Sequence, residues 1–182
     1  MAVSMNPHLW TPDEYLLAWE AGAIGNHVEL LDGEMWDVSM GPWHGEVTTN
    51  LGRALPDKRF RITAASLPAQ NSLPLPDCWV LRRDAVPVAR LSARMPRWAA
   101  TDVLLVVDVS DETLEYDLGR KSVLYAQAGL EHYWTVTRDG VYVRGSPTRS
   151  GYADRQLVAP DGEITVPYLE GSTLAVANLI TI

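Results

Sequence analysis

The sequence predicts a single α/β domain that spans residues 1–182. Strand and helix patterns follow one another along the chain. The run DVLLVVDVS at 102–110 is apolar on both faces, which is typical of a central strand covered on each side. The length suits one domain with its own core, and 47% of the residues are apolar, which favours a globular fold over disorder. No internal repeat or linker-like tract divides the chain.

The first third of the chain predicts a helix, a hairpin and a second helix. The Thr-Pro pair at 11–12 is a good helix start, and Gly22 can end that helix. The Asp-Gly pair at 32–33 is a two-residue turn signal between extended runs and predicts a hairpin. Apolar residues at helical spacing then predict an amphipathic helix over about 43–56.

The middle of the chain predicts short strands before the central one. One strand is expected near 59–64 and another within 66–81. Pro74 and Pro76 lack the N–H groups that a ladder needs, so the second strand should be an edge or a bulge until it passes Pro76. The stretch from about 84 to 101 is expected to be loop, with one helical turn at most.

After the central strand, the sequence predicts a helix and a C-terminal set of strands. Asp117 is expected to cap the helix, and Gly129 to end it. The Asp-Gly pair at 139–140 predicts a second hairpin. Two or three further short strands are expected, broken by Gly151 and by the Asp-Gly pair at 161–162.

The formal net charge of −8 argues against generic DNA binding, because nonspecific affinity comes mainly from Lys and Arg that neutralise phosphates. Two local basic clusters remain as candidate contacts, although a solvated surface is the more common role for either one alone. The clusters are Lys58, Arg59 and Arg61, and Arg82, Arg83, Arg90, Arg94 and Arg97.

Cysteine usage and hydropathy bear on the compartment. The single cysteine, Cys78, excludes an internal disulfide and fits a reducing environment. The first residues show no basic segment followed by an apolar run, so no signal peptide is expected. No stretch is long and apolar enough to span a bilayer. We therefore expect a cytoplasmic protein with no membrane partner.

Two acidic residues are candidate metal ligands. Asp108 lies late in the apolar central strand, where a carboxylate is costly unless it is paired or binds a metal; its alternative role is to cap the following turn. Asp77 follows Pro76, where turn chemistry is the simpler role. Two carboxylates brought together from different strands repel each other unless a cation lies between them, and such hard oxygen ligands suit Mg²⁺ or Mn²⁺.

Three further residues can complete such a site. Lys121 lies one turn from Asp117 and forms either a surface ion pair with it or, if the helix packs over the central strand, a contact with the metal site. Glu29 is a third candidate ligand or a general-base partner, its simpler role being an exposed strand carboxylate. His44 lies near a helix start, which favours a neutral imidazole; it can bind phosphate, assist proton transfer or fill a gap beside Trp43.

The chain carries three segments that match a known family in order. They are VELLDGEMWDVSMGPWH at 28–44, PDCWV at 76–80 and LLVVDVSDETLEYDLGRKSVLYAQAGLEHYWTV at 104–136. Together they resemble the Uma-two (Uma2) family of restriction endonucleases, and the match extends from the first helix to the C-terminal strands. The most specific part is the stretch 117–134.

That family resembles the PD-(D/E)XK nuclease superfamily, which implies a restriction-endonuclease-like fold: a mixed sheet with flanking helices and extra strands. The resemblance assigns Asp77 to the PD motif, Asp108 to the central acidic position and Lys121 to a lysine moved onto the following helix. It also matches Glu29 to the family's EL-x-DG segment, and His44 to the histidine after the hairpin.

The chain departs from the family pattern at the central strand. Ser110 stands where the superfamily motif has its lysine, and Asp108 stands where the family usually has Glu. An Asp side chain is one methylene shorter, so a metal ion would have to lie closer to the strand. The usual Pro after the strand is also replaced by an acidic pair at 111–112.

Several other enzyme classes lack their signatures here. The sequence has no GxxxxGK(S/T), GxGxxG or GxSxG motif, and its four His and one Cys show no zinc spacing. The first hypothesis is therefore a Mg²⁺- or Mn²⁺-dependent endonuclease that cleaves DNA. The ion would be held by Asp77 and Asp108 with Glu29, and Lys121 and His44 would assist.

Two alternatives stay open at this point. One is a non-catalytic binding module that keeps the nuclease fold, motivated by the acidic charge and the altered central strand. The other is a hydrolase of a small nucleotide-like substrate, which an acidic chain with modest basic clusters suits better than a long duplex. Edge strands near the C-terminus must be covered or blunted, which suggests a homodimer. The sequence indicates no protein partner.

Overall fold

A computed structural model describes residues 6–55, 58–111 and 113–181. Its N-terminal part contains the predicted helix, hairpin and second helix. Thr11 caps the first helix through a capping box with Glu14. Asp32 and Gly33 both have positive φ, which gives the two-residue turn whose twist matches the flanking strands. The elements are α1 (Pro12–Glu20), β1 (Val28–Leu31), β2 (Glu34–Asp37) and α2 (Pro42–Ala54).

The middle of the chain contributes five strands. The fourth strand begins only after Pro76, as predicted, but it then lies inside the sheet with a partner on each side. The stretch 84–101, expected to be loop, contains a small two-stranded sheet before a 3₁₀ turn at Ala100–Asp102. The elements are β3 (Phe60–Thr63), β4 (Cys78–Arg82), β5 (Ala89–Arg90), β6 (Pro96–Arg97) and β7 (Val103–Val109).

The helical segment after β7 differs from the prediction at its start. Asp117 does not cap the helix, because the segment already begins at Leu114 and Asp117 opens a π-helical turn within it. Gly129 ends the segment with a φ of 76°, as predicted. The segment consists of α3 (Leu114–Tyr116), the π-helical turn Asp117–Lys121 and α4 (Ser122–Gln127).

The C-terminal part contains the predicted hairpin and further strands. The hairpin turns at Asp139 and Gly140, and the next strands are separated near Gly151 and Gly162. The elements are β8 (Tyr133–Thr137), β9 (Gly140–Thr148), β10 (Gly151–Val158), β11 (Glu163–Thr165), β12 (Thr173–Ala175) and α5 (Ala177–Ile180).

Six of these strands form the mixed sheet at the centre of the fold, in the order β10-β9-β8-β7-β4-β3. The β7–β8 pair is parallel and the other pairs are antiparallel. The parallel pair is connected by the helical segment 114–127, as a crossover requires. The predicted central strand is therefore confirmed, and it has the helical segment directly after its C-terminal end.

Both faces of the sheet are covered, and β7 contributes to each. Leu105 and Val107 pack in a cluster with residues of α2, whereas Val106 packs in a cluster with residues of α4. Successive residues of a strand point to opposite faces, so Asp108 continues the row of Val106 toward α4. Within the described ranges, no helix has the length and apolar character needed to cross a membrane.

Candidate active site

The fold brings all five predicted site residues to the wall of one open cleft of about 760 Å³. They come from separate places in the sequence: β1, the start of α2, the residue before β4, the end of β7 and the π-helical turn. In that order the residues are Glu29, His44, Asp77, Asp108 and Lys121.

Lys121 is the cation that connects the buried acids of the cleft. Its Nζ lies 3.2 Å from Asp108 Oδ1, 3.2 Å from Glu29 Oε2 and 3.7 Å from Asp117 Oδ1. Because Lys121 and Asp117 are 5% and 3% exposed, their alternative role as a surface ion pair is wrong. Burial works against the ammonium, but the carboxylates outweigh it and raise the pKa of Lys121 above its usual value.

Asp108 has both carboxylate oxygens engaged inside the protein. Oδ1 contacts Lys121, and Oδ2 accepts a hydrogen bond of 2.9 Å from the hydroxyl of Tyr133. Asp108 is therefore not a cap of the following turn, its alternative role in the sequence. Burial raises the pKa of Asp108 to about 7, aided by Asp117 among other acids and opposed by Lys121.

Asp77 joins α2 to the central strand. Its Oδ1 lies 2.7 Å from His44 Nε2, and its Oδ2 accepts a hydrogen bond of 2.6 Å from the backbone N–H of Val109. Simple turn chemistry does not describe a residue with two such long-range partners. The hydrogen bond that His44 donates to Asp77 raises the pKa of His44, although burial lowers it, so this carboxylate opposes the neutral imidazole expected from the helix start.

Glu29 is buried rather than exposed on its strand. The residue is only 2% exposed. Its Oε2 accepts a hydrogen bond of 3.0 Å from the backbone N–H of Leu75 and also contacts Lys121. The simpler role, an exposed strand carboxylate, is therefore wrong. Glu29 ties the segment before β4 to the π-helical turn.

Two residues that sequence reasoning did not place in the site also belong to this network. The hydroxyl of Tyr133 bonds Asp108 and also donates to the backbone oxygen of Asp117 at 3.2 Å. Asp117 Oδ2 in turn accepts a hydrogen bond of 2.7 Å from Thr113. A tyrosine in an apolar strand was a usable signal, since a buried hydroxyl needs a partner. The π-helical turn that directs Asp117 inward had no such signal.

The cleft fits a hard divalent cation in charge and donor chemistry. Seven carboxylates of the described residues line the cleft, against the side chains of Lys121, Arg120 and His44, so negative charge is in excess. His44 Nδ1 is also buried with no hydrogen-bond partner in the described part of the chain. However, no three His, Cys, Asp or Glu side chains of the described residues share one metal position. The predicted set Asp77, Asp108 and Glu29 is thus not preassembled, and Lys121 lies between two of its members.

Comparison with known proteins agrees with the fold and the resemblance. The crystal structure titled as a "putative nuclease belonging to DUF820", from Anabaena variabilis ATCC 29413, has a TM-score of 0.64 and 14% identity, covering 94% of this chain and 98% of that chain. At this identity the likeness concerns the fold alone, and it confirms the predicted nuclease fold. No curated protein matches the chain.

The Uma2 family, described as "Putative restriction endonuclease", provides the match at the level of sequence. Its model matches residues 12–177, a range that includes all five predicted site residues. The resemblance that the three sequence segments suggested is thereby confirmed. Since the match extends over most of the length, this chain belongs to the Uma2 family of restriction-endonuclease-like proteins.

Proposed function

We propose that the cleft hydrolyses phosphodiester bonds of DNA with Mg²⁺ or Mn²⁺. The observation that carries the proposal is the buried ammonium of Lys121, in contact with Asp108 and Glu29 on the wall of an open cleft. A charge is expensive to bury, and perturbed ionisable groups in a cleft often mark a functional site. Membership of a family described as restriction endonucleases supports this chemistry.

Each residue has a distinct role in this proposal. Asp77 and Asp108 would hold the cation, with Glu29 assisting directly or through a water. A bound cation supplies a water of lowered pKa and a polarised phosphate. Lys121 would orient the attacking water or stabilise the charge that develops on the phosphate oxygens. His44 would contact phosphate or hold a proton beside Asp77.

The hydrogen bonds of the site support this division of roles, because they hold the acids in fixed orientations. The Tyr133 hydroxyl fixes one oxygen of Asp108, and the Val109 N–H fixes one oxygen of Asp77. Groups that are oriented in advance do not have to be ordered when the substrate binds. We therefore assign Tyr133 as a positioning residue for Asp108.

Nicking of supercoiled plasmid with added Mg²⁺ or Mn²⁺ tests the proposal. Asp77→Asn and Asp108→Asn should each reduce the rate by on the order of a hundredfold or more, because each removes a charge from the ligand pair. Asp161→Asn is the matched control, since it makes the same change on an exposed turn outside the cleft. Cleavage that persists in both cleft variants would contradict the assignment.

A second candidate function is hydrolysis of a small phosphodiester. The cleft volume of about 760 Å³ lies in the range of small-molecule sites, and its excess of carboxylates disfavours a long polyanion. Bis(p-nitrophenyl) phosphate is the probe that separates the two. Its turnover without plasmid nicking favours the small substrate. The absence of both activities, together with Mg²⁺ binding that Asp108→Asn removes, favours the non-catalytic module.

We also infer that the protein works in the cytoplasm and as a homodimer, in line with its single cysteine and its open sheet edges. β3 and β10 are the edge strands of the six-stranded sheet. An open edge offers unpaired backbone groups to a second chain. A monodisperse monomer in light scattering would contradict the inferred homodimer. Recovery of the protein in the membrane or secreted fraction would contradict the inferred cytoplasmic location.

A further inference from the structure

A second cavity, of about 810 Å³, shares Leu75 with the acidic cleft. Its lining differs from that of the cleft in charge. No Asp or Glu is among the described residues that line it, whereas three arginines are: Arg61, Arg83 and Arg94. Five aromatic residues also line it: Tyr15, Trp19, Phe60, Trp79 and Trp98.

This cavity is where the two basic clusters of the sequence meet. Eight of the 15 Lys and Arg residues lie between positions 58 and 97, a stretch whose acids are Asp77 and Asp84 alone. Arg61 comes from the first cluster, and Arg83 and Arg94 come from the second. A chain with a net charge of −8 thus concentrates positive charge around one aromatic cavity.

Two of these arginines are held by backbone oxygens rather than by carboxylates. The guanidinium of Arg61 lies 4.8 Å from the ring centre of Trp98 and donates to the Ala85 oxygen at 3.0 Å. Its Nε is buried without a hydrogen-bond partner in the described ranges. Arg83 donates to the backbone oxygens of Lys58 and Phe60. Their positive charge is therefore placed at the cavity without being neutralised by an ion pair among the described residues.

Arg94 supplies a third charge, and it is exposed. No hydrogen bond or ion pair of its guanidinium is found within the described residues, so all its donors are open to a ligand. Guanidinium groups match the geometry of phosphate oxygens, and aromatic faces stack on nucleobases of any type. The combination of rings and unneutralised arginines suits a ligand that is both planar and anionic.

We propose that this cavity binds one unpaired nucleotide, with the base among the aromatic rings and the phosphate at Arg83 and Arg94. The nucleotide is either free or part of a single strand, because a base within a duplex is stacked between its neighbours and must leave the stack to enter a pocket. Binding itself rests on the cavity alone. That the nucleotide would lie beside a scissile phosphate, across Leu75, rests on the proposed function.

Fluorescence anisotropy with a labelled single strand of about ten nucleotides tests the proposal, since single-strand sites commonly span such lengths. A chelator prevents cleavage during the titration. Trp98→Leu should weaken binding roughly tenfold through lost stacking. Arg94→Ala should weaken it severalfold, whereas its matched control Arg90→Ala removes an exposed arginine of the same segment that does not line the cavity.

The outcomes separate the possible ligands. Displacement of the strand by dAMP supports a site for a free nucleotide, and strand binding that dAMP does not displace supports recognition within a nucleic acid. The proposal is overturned if neither probe binds, if duplex binds as well as the single strand, or if Arg94→Ala and Arg90→Ala weaken binding equally. Should Trp98→Leu fail to fold by circular dichroism, the two arginine variants decide.

The binding titration and the plasmid-nicking assay together distinguish this inference from the proposed function. Nucleotide binding without plasmid nicking would keep the cavity as a nucleotide site and remove cleavage. Nicking without nucleotide binding would keep cleavage and overturn the cavity's assignment.

Discussion

The acidic cleft and the aromatic cavity share Leu75 but place their charges in opposite ways. The cleft has buried charges at its centre: Lys121, Glu29 and Asp108 are each at most 5% exposed. In the cavity, Tyr15 and Trp79 are buried and the other three rings are half-buried, whereas Arg83 and Arg94 are exposed to solvent. A buried charge has to be neutralised by partners within the fold, whereas an exposed charge is stabilised by water.

This difference separates two kinds of functional residue. In the cleft, the buried charged side chains of Lys121, Glu29 and Asp108 are also structural parts, so the removal of any of them should affect both stability and chemistry. At the exposed edge of the cavity, removal of the Arg94 charge should affect binding alone, because the Arg94 guanidinium has no hydrogen bond or ion pair among the described residues. Stability measurements on matched variants from the two regions can therefore test how the two sites are built, independently of any substrate.

The largest effect is expected for Lys121→Met. This change leaves Glu29, Asp108 and Asp117 buried without their shared cation, and breaking a buried ion pair in this way costs about 3–5 kcal/mol. Urea unfolding measures the loss of free energy. In the double variant Lys121→Met/Asp108→Asn part of the loss should return, since one of the unpaired charges is gone.

Arg120→Met is the matched control for that change. Arg120 neighbours Lys121 on the cleft wall but pairs with Asp32 and Glu34, whose side chains are half or more exposed, and it also donates to the Leu31 oxygen. Exposed ion pairs contribute at most about 1 kcal/mol each, and one hydrogen bond contributes about 1 kcal/mol, so the control should lose clearly less stability than Lys121→Met. Equal losses in Lys121→Met and Arg120→Met would contradict the view that the cleft is a buried charge network.

A smaller loss is expected for Tyr133→Phe. The change removes one hydroxyl that bonds both Asp108 and the backbone of Asp117, and a hydrogen bond to a charged group contributes about 1.5–3 kcal/mol. Tyr142→Phe is the control, because the Tyr142 hydroxyl has no hydrogen bond within the described ranges and its ring is half-buried. Thermal unfolding measures both. Identical melting temperatures for the two variants would show that Tyr133 does not hold Asp108.

Tyr15 connects the two regions, because it lines the aromatic cavity while the charge of Glu29 in the cleft affects its pKa. Its hydroxyl donates to the Val28 oxygen at 2.5 Å, and burial, aided by Glu29, raises its pKa from 10.0 to about 12. As the pH rises, this phenol therefore ionises at a lower pH in the unfolded chain than in the folded protein. The stabilisation is complete below pH 10 and is lost as the pH rises toward 12.

Tyr15→Phe should accordingly lose about 1 kcal/mol at neutral pH, the usual contribution of one hydrogen bond. Between pH 10 and 12 its stability should fall less steeply than that of the native protein. Urea midpoints across this range measure the difference. Parallel pH profiles for the two proteins would show that Tyr15 titrates normally.

The smallest effect on stability is expected for Arg94→Ala. Its side chain is exposed and makes no hydrogen bond or ion pair with the described residues, so the free energy of unfolding should change by about 0.5 kcal/mol or less. Differential scanning calorimetry provides the measurement. A loss comparable to that of Tyr133→Phe would place Arg94 among the structural residues and erase the contrast between the two regions.

Local features of the fold were predictable from the sequence because their causes are local. The Thr11 cap, the Asp-Gly turns and Gly129 act through neighbouring backbone groups, and each is found where predicted. Pro76 delayed the start of β4 for the same reason. The prediction of Asp117 as a cap failed because the helical segment already begins at Leu114, and Asp117 opens a π-helical turn that no short-range signal marks.

The candidate site was predictable only in part. The family resemblance pointed to Glu29, His44, Asp77, Asp108 and Lys121, and the fold places all five on one cleft. The simpler roles considered for Glu29 and Lys121 assumed exposed side chains and were wrong. The burial of a polar residue depends on tertiary packing, which residue patterns do not specify.

By itself, then, the sequence determined the order of the elements, the covered central strand and the acidic net charge, because periodicity, caps and composition are properties of short stretches. The tertiary structure alone decided which charges neutralise one another, that Tyr133 holds Asp108, and that arginines from two separate clusters border one aromatic cavity. Those outcomes depend on contacts between residues tens of positions apart, and such contacts arise only when the sheet and helices pack together.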